Sequence, residues 1–299
     1  MSNSEVDKLN ETLQAVQARW HAVEQPMRGS GFMPGPDDIS LEARESLSKA
    51  NHTAFVARAA HTPAPPAPPP PPPYPISFDW RKFAATPSMP GMPAGDYVSP
   101  VQDQGICNSC VAFGVISAIE SASKIQARNP ALAIDLSEAD LFYCHEGVHP
   151  GPTCESSWYP DSALNICKNP GVVDDACFPY TSGDQSCNKC PDWRNRLKKI
   201  HAWRHLIGTT GIKQWIATRG PVVTCFTLYT DFRSYGSGVY HHVTGGSQIA
   251  HCVGVVGYDD VGRFWICKNS WGPGFGEAGF FRIAYGECGI DALMWGVEL

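Results

Sequence analysis

Two cysteines three residues apart, Cys107 and Cys110, sit in the stretch QDQGICNSCVAFG at 102–114, just ahead of an apolar run. Such a pair can be a redox couple, two metal ligands or halves of separate disulfides, or one member can be a nucleophile. A redox pair of the thioredoxin kind follows a strand in a βαβ unit. Here the preceding residues, 100–105, read as a loop. A zinc ribbon would add Cys187 and Cys190, yet its two pairs stand only about 15–20 residues apart. The gap in this chain is several times longer. A nucleophilic thiol needs a base and a positive environment for the thiolate. Cys110 opens the helix predicted over 110–128, where backbone N–H groups face it. Cys107 lies outside that helix, so Cys110 is the candidate nucleophile.

The base and its orienting partner are found in IAHCVGVVGYDDVGRFWICKNSWG, 249–272. Two apolar strands, 252–258 and 263–268, flank a turn signal at Asp259, Asp260 and Gly262. A hairpin turning near Asp260 sets His251 opposite Asn269. An asparagine oxygen can then accept from one ring nitrogen and leave the other free to take the thiol proton. Singly, such a histidine is ordinary core, such an asparagine a turn residue, and a cysteine at a helix start a small buried side chain. Packing does not explain the three together.

The elements that must position these residues follow from periodicity. Helices are predicted at 110–128, after Ser137 with Asp140 completing its cap, near Asp161, and from Thr209 or Thr210 to the Gly220–Pro221 stop. An extended entry is expected at 77–81, and strands at 222–229, 252–258, 263–268 and 280–285. Helices first and strands second give an α+β fold. Upstream, Val6, Leu9, Leu13, Val16, Trp20 and Val23 recur every three or four residues, as on one face of a helix. Ser4 and Asp7 stand as its capping pair. A second helical pattern covers 40–59. The run TPAPPAPPPPPPYP at 62–75 is a polyproline spacer of about 40 Å if straight. The chain therefore divides into 1–61, a helical segment that must pack on something; 62–75, a linker; and 76–299, the main domain.

A net charge of −6 and a sequence pI near 5.9 argue against nucleic acid as the main partner. No run of 18 apolar residues exists, so no membrane span is expected. Twelve cysteines point to disulfides and a secreted or other oxidising compartment. The polar start MSNSEVDKLNETLQ shows no signal peptide, and the two observations conflict.

Residues 100–113, PVQDQGICNSCVAF, resemble the active-site segment of the papain-like cysteine peptidases. In that family His and Asn follow the cysteine by about 130–150 residues. Here they follow by about 140 and about 160. Lys268-Asn269-Ser270-Trp271-Gly272, with Gly274, Gly276, Glu277 and Gly279, resembles the family's Asn block. Phe78-Asp79-Trp80-Arg81 resembles the start of the mature enzyme, and Leu136-Ser137-Glu138 its second helix entry. The resemblance covers about 76–299. It implies a papain-like two-subdomain α+β fold, a helical half and a β-barrel-like half with the cleft between them. Cys110 is then the nucleophile, His251 the general base and acid, and Asn269 the orienting residue. Gln104 and the backbone N–H of Cys110 are the oxyanion-hole donors, and Trp271 shields the His–Asn bond. An acyl-enzyme forms, with no metal or organic cofactor.

The resemblance also implies the disulfide Cys107–Cys154. Cys144 pairs with Cys187 or Cys190 and Cys177 with the other, which spacing alone does not decide. Likeness of 176–187 to a loop of cathepsin C favours Cys144–Cys187 and Cys177–Cys190. Cys225, Cys252 and Cys267 are then expected as buried strand thiols, with Cys288 unpaired. By position Trp158, Cys225, Ile249, Ala250, Cys252 and Leu293 line the substrate cleft, giving it an apolar preference. Departures fall around the cleft: Val111 where an aromatic residue is usual, Asn108 for Gly, and Ser156-Ser157 for Gly-Gly. His145 and His149 read as surface residues of a short loop rather than an occluding pair, which favours an endopeptidase. Protein or peptide substrates and a monomer are implied, with residues 1–61 as an intramolecular cleft cover. That segment lacks the long interspersed helix motif of plant and lysosomal pro-regions, a hint of a bacterial member. The alternatives are a silent peptide-binding relative, disfavoured by the complete Cys–His–Asn–Gln set, and a transglutaminase-type acyltransferase, disfavoured by Asn269 where that class has Asp.

Overall fold

The computed structural model describes residues 2–25, 74–85, 89–145, 152–156 and 158–299. The pattern at 40–59, the polyproline run as far as residue 73, His149 and Ser157 lie outside them. The described helices are α1 (Asn3–Ala15), α2 (Cys110–Gln126), α3 (Glu138–Tyr143), α4 (Pro160–Lys168) and α5 (Thr209–Thr218). The strands are β1 (Trp20–Ala22), β2 (Ser77–Asp79), β3 (Ala202–Leu206), β4 (Val222–Tyr229), β5 (Tyr235–Tyr240), β6 (Ser247–Asp259), β7 (Phe264–Lys268), β8 (Phe280–Ala284) and β9 (Met294–Glu298).

All nine strands form one sheet in the order β1-β5-β8-β7-β6-β4-β9-β3, with β2 pairing β6 off that path. Among the described strands only β5 and β8 run parallel. An apolar cluster including Trp80, Tyr97, Phe232, Tyr235, Phe275 and Phe281 fills the β half. A second joins α2, α3 and α4 to Val223, Cys252 and Trp295 of the sheet. The α+β expectation therefore holds as two packed halves, with β6 between them. Helix α2 lies close against β6, since a Cβ on Gly114 would meet Val253 N at 3.4 Å. Ser137 caps α3 by accepting from Asp140 N–H (2.8 Å).

Two expectations about the N-terminal segment need correction. The helix ends at Ala15 and is capped by Ser2 with Glu5, not by Ser4 with Asp7. Gln17 then takes a left-handed φ of 54°, which turns the chain out of the helix. Trp20, expected on the helix face, instead lies in β1 and pairs with Gly238 of β5. Its ring is buried against Tyr240, centroids 5.0 Å apart, and its Nε1 donates to His241 O (2.9 Å). The helical period continued by chance through the exit.

Gly238 explains why β5 accepts this partner. Its φ is +100°, and a Cβ there would reach 2.5 Å from Trp20 Cα. Gly238→Ala is therefore expected to weaken docking of 2–25 by about 1–3 kcal/mol, through backbone strain and the clash. Hydrogen exchange of the Val239 amide, which donates to Arg19 O (2.7 Å), measures it directly. Unchanged protection of that amide would refute the account.

Candidate active site

Cys110 is the first residue of α2 and has Ser109 before it as N-cap. The run CVAFGVISAI folds as a helix because small and apolar residues alternate on two faces, both of which are buried. At this terminus the first N–H groups have no intrahelical acceptor, so they point past Cys110. Ser109 Oγ and Tyr180 OH are 2.8 Å apart, and Tyr180 OH donates to Gln104 O (2.9 Å). Tyr180 thus ties the loop to the helix start.

His251 is brought in by β6. The hairpin register differs from the expected one. Gly254 pairs with Lys268 and Val255 with Cys267, and a bulge before Gly257 shifts the remainder by one. Extended outward, that register sets Asn269 opposite Val253, two residues from His251. A slip of two keeps the side chain on the same face, so the pair still meets, diagonally. His251 Nε2 and Asn269 Oδ1 are 2.7 Å apart. Since an amide oxygen only accepts, Nε2 carries the proton. His251 Nδ1 is buried without a hydrogen-bond partner. Trp271 stacks on the imidazole, centroids 4.7 Å apart.

Gln104 is fixed at both ends of its amide. Nε2 donates to Cys107 O (2.7 Å), and Oε1 accepts from Ser270 Oγ (2.6 Å). Nε2 keeps a second hydrogen. Cys110, His251 and Gln104 are fully buried and Asn269 nearly so. Burial pushes the His251 imidazole down to about 4, the Asn269 bond working against it and the Arg233 charge with it.

The structure joins Cys107–Cys154, Cys144–Cys187 and Cys177–Cys190. A fourth disulfide, Cys225–Cys252, corrects the expectation of two buried thiols. These two are direct register partners on β4 and β6. That pairing requires knowing how distant strands align. Cys167 and Cys267 are buried thiols, and Cys288 is half-buried against Glu287. Of the proposed cleft residues, Trp158, Cys225, Cys252 and Leu293 fall in one apolar cluster. Ile249 and Ala250 are half-buried on β6 just before His251 and stand apart from it. His145 is not a surface residue: its side chain is 11% exposed and Nε2 lies 3.5 Å from the buried Asp140 Oδ1.

Behind Asn269 is a buried charge cluster that sequence reasoning missed. Lys268 Nζ donates to Ser99 Oγ (2.8 Å), and Glu120 Oε1 accepts from Leu136 N–H (2.7 Å). Burial, opposed by the Lys268 charge, raises the Glu120 carboxyl to about 7. Glu138 is raised well above the carboxylate range by burial and then by the Glu120 charge, so it holds its proton. Glu120→Gln should therefore strip Lys268 of its counter-charge and cost about 3 kcal/mol, because a lone buried charge is expensive. Glu138→Gln replaces a protonated acid by its isostere and should cost under about 1 kcal/mol. Urea unfolding compares them, and equal losses would overturn this assignment of charge.

Among the described residues no group of three or more His, Cys, Asp or Glu could hold a metal ion. No described helix is long and apolar enough to cross a membrane.

The family model for papain family cysteine protease matches residues 74–296. Over 212 residues the chain is 35% identical to the cathepsin B-like CP3 of Giardia intestinalis, covering 67% of this chain and 69% of that protein. It is 32% identical over 227 residues to pro-cathepsin H of Mus musculus, covering 73% of this chain but 63% of that protein, less than two thirds of its length. Among solved structures, procathepsin L2 proteinase from Tenebrio molitor larval midgut superposes with a TM-score of 0.73 at 26% identity, covering 99% of this chain and 89% of that one. The proCathepsin B S9 of Trypanosoma congolense, at 22% identity and a TM-score of 0.71, covers 100% of this chain and 98% of that one, and agrees in fold. The chain belongs to the papain family of cysteine proteases.

Proposed function

We propose that this chain is the precursor of a cysteine endopeptidase that cleaves peptide bonds with Cys110, His251 and Asn269. The observation that carries the reading is the buried imidazole, with Nε2 held by Asn269 and Nδ1 left without a partner, while the sulfur of Cys110, at a helix N-terminus, accepts from the N–H of the next residue, Cys252. Nδ1 takes the Cys110 proton as the sulfur attacks the carbonyl, then returns it to the leaving amine. The oxyanion is met by the Cys110 N–H and the second Gln104 Nε2 hydrogen. Water hydrolyses the acyl-enzyme. Trp271, stacked on His251, keeps solvent off the His–Asn bond. The cluster of Trp158, Cys225, Cys252 and Leu293 supports an apolar subsite.

The precursor reading is supported by burial of all four site residues and by residues 2–25 docking on the sheet edge through β1. The procathepsins of similar shape are themselves precursors by name. Four disulfides support an oxidising compartment. The test is labelling of the linker-cleaved protein by a thiol-directed epoxide, followed by peptide turnover. One label per chain, on Cys110 and absent from Cys110→Ala, is expected. A cleaved, reduced protein that takes no label would sink the enzyme reading and leave a peptide-binding relative.

A further inference from the structure

Cys110 has a disulfide as its neighbour. Its Sγ accepts a hydrogen bond from Cys252 N–H (3.2 Å). Three bonds from that nitrogen is Cys252 Sγ, which is joined to Cys225. Cys110 and Cys252 are both fully buried in the apolar cluster that α2 shares with the sheet. Close approach of α2 to β6 at Gly114 and Val253 fixes this proximity through the backbone. Cys225, on the neighbouring strand, is half-buried.

Disulfides exchange by attack of a thiolate on one of their sulfurs. We propose that Cys110 exchanges with the Cys225–Cys252 disulfide and is stored as Cys110–Cys252. The Cys110 thiolate forms a bond to Cys252 Sγ. The Cys252–Cys225 bond breaks, and its electron pair leaves on Cys225 as a thiolate. That thiolate takes up the proton Cys110 gave to His251. One disulfide is lost and one is formed, so no oxidant or reductant is consumed. The product has no free nucleophile. Reverse attack by Cys225 restores it, and an external dithiol releases all three thiols.

The Cys107–Cys154 disulfide is the rival partner, being near in sequence. It is engaged elsewhere: Tyr143 OH lies 3.4 Å from Cys107 Sγ and 3.3 Å from Cys154 Sγ. Gln104 Nε2 holds the Cys107 carbonyl on the loop side. Burial adds a further reason to favour exchange within the chain. In this closed state Cys110 is shut off from dissolved reagents, whereas its sulfur already touches the Cys252 backbone N–H, three bonds from the disulfide sulfur. Label appearing on Cys225 therefore reports a reaction that solvent cannot perform on Cys110 itself.

The proposal rests on Cys110 being the reactive thiol of the peptidase reading, and two arms separate their failures. In the first, the full, uncleaved chain with its four disulfides is held at about pH 8 without added thiol, near the pKa of a free cysteine. Excess iodoacetamide is present throughout, and an acid quench precedes a non-reducing digest and peptide mass mapping. The expected result is an alkylated Cys225 together with a Cys110–Cys252 cross-linked peptide. In Cys110→Ser the Cys225–Cys252 link should persist and Cys225 take no label. An unlabelled Cys225 in the wild type, equal labelling in Cys110→Ser, or label on Cys154 in place of Cys225 would each overturn the exchange. In the second arm the linker-cleaved chain is first reduced with a dithiol, which opens any Cys110–Cys252 link, and then meets the thiol-directed epoxide. Epoxide on Cys110 with Cys225 never alkylated means that only the exchange is wrong. No epoxide on Cys110 means that the nucleophile reading has failed with it.

Discussion

Cys110→Ala is expected to lower kcat/KM for peptide substrates by about 10⁴-fold or more, since the acyl-enzyme can no longer form. His251→Ala should lose a similar factor, and the double variant little more than either single one. That non-additivity follows from the roles. Without the base the thiol is not deprotonated, and without the thiol the base has nothing to activate. A merely structural pair would instead lose stability additively and keep its turnover. The control is the unfolding transition, which removal of one small buried sulfur moves far less than it moves the rate. Residual hydrolysis above water would come from the oxyanion donors, Gln104 Nε2 and the Cys110 N–H. Turnover by Cys110→Ala within tenfold of wild type would refute the assigned chemistry.

The features legible in the sequence are those with local causes. β4 runs from Val222 to Tyr229, as read from its apolar alternation, and α5 from Thr209 to the stop before Pro221. α2 starts at Cys110, where a polar loop meets an apolar run. What was missed has distant causes. The turn lies beyond Asp260, which puts the strands three residues out of the expected register beside it, and the bulge before Gly257, which has no compositional signature, reduces that to two. The His–Asn contact survived because an even slip preserves the face. Besides β1, three strands have no counterpart in the sequence reading. β3 and β5 lie toward the ends of the sheet, and β9 joins β3 to β4. Each is stabilised by partners far along the chain more than by its own pattern. The Cys225–Cys252 link depends on one such alignment, of β4 with β6. Trp20 shows the reverse error, a local period that tertiary pairing overrode. Ser270 and Tyr180 hold Gln104 and the loop by single hydrogen bonds, for which a lone Ser or Tyr gives no signal.

Acid is expected to open the closed site, and His251 gives the sign. Its ordinary value is 6.5 and burial brings it to about 4. In the closed state the imidazole is therefore neutral across a window in which an exposed one would take up a proton. The open state binds more protons there, so closure is favoured at pH above 6.5 and loses ground as pH falls toward 4. Each pH unit in that window is worth about 1.4 kcal/mol, so the full span amounts to about 3 kcal/mol, or roughly a hundredfold in the opening equilibrium. The value of about 4 already contains the Asn269 bond, which favours the charged ring, and the Arg233 charge, which disfavours it. Glu120 and Glu138, both raised, act in the opposite sense, since their buried carboxyls become costlier as pH rises. Thiol–imidazole reactivity has its own pH dependence, so the useful quantity is a ratio. The epoxide labelling rate of the uncleaved chain, divided by that of the cleaved chain, should rise on acidification from about 6.5 to about 4. Hydrogen exchange of β6 and β7 amides should follow it in the wild type, and lose most of its acid dependence in His251→Gln, whose side chain stays neutral. An unchanged acid dependence in that variant would assign the opening to groups other than His251.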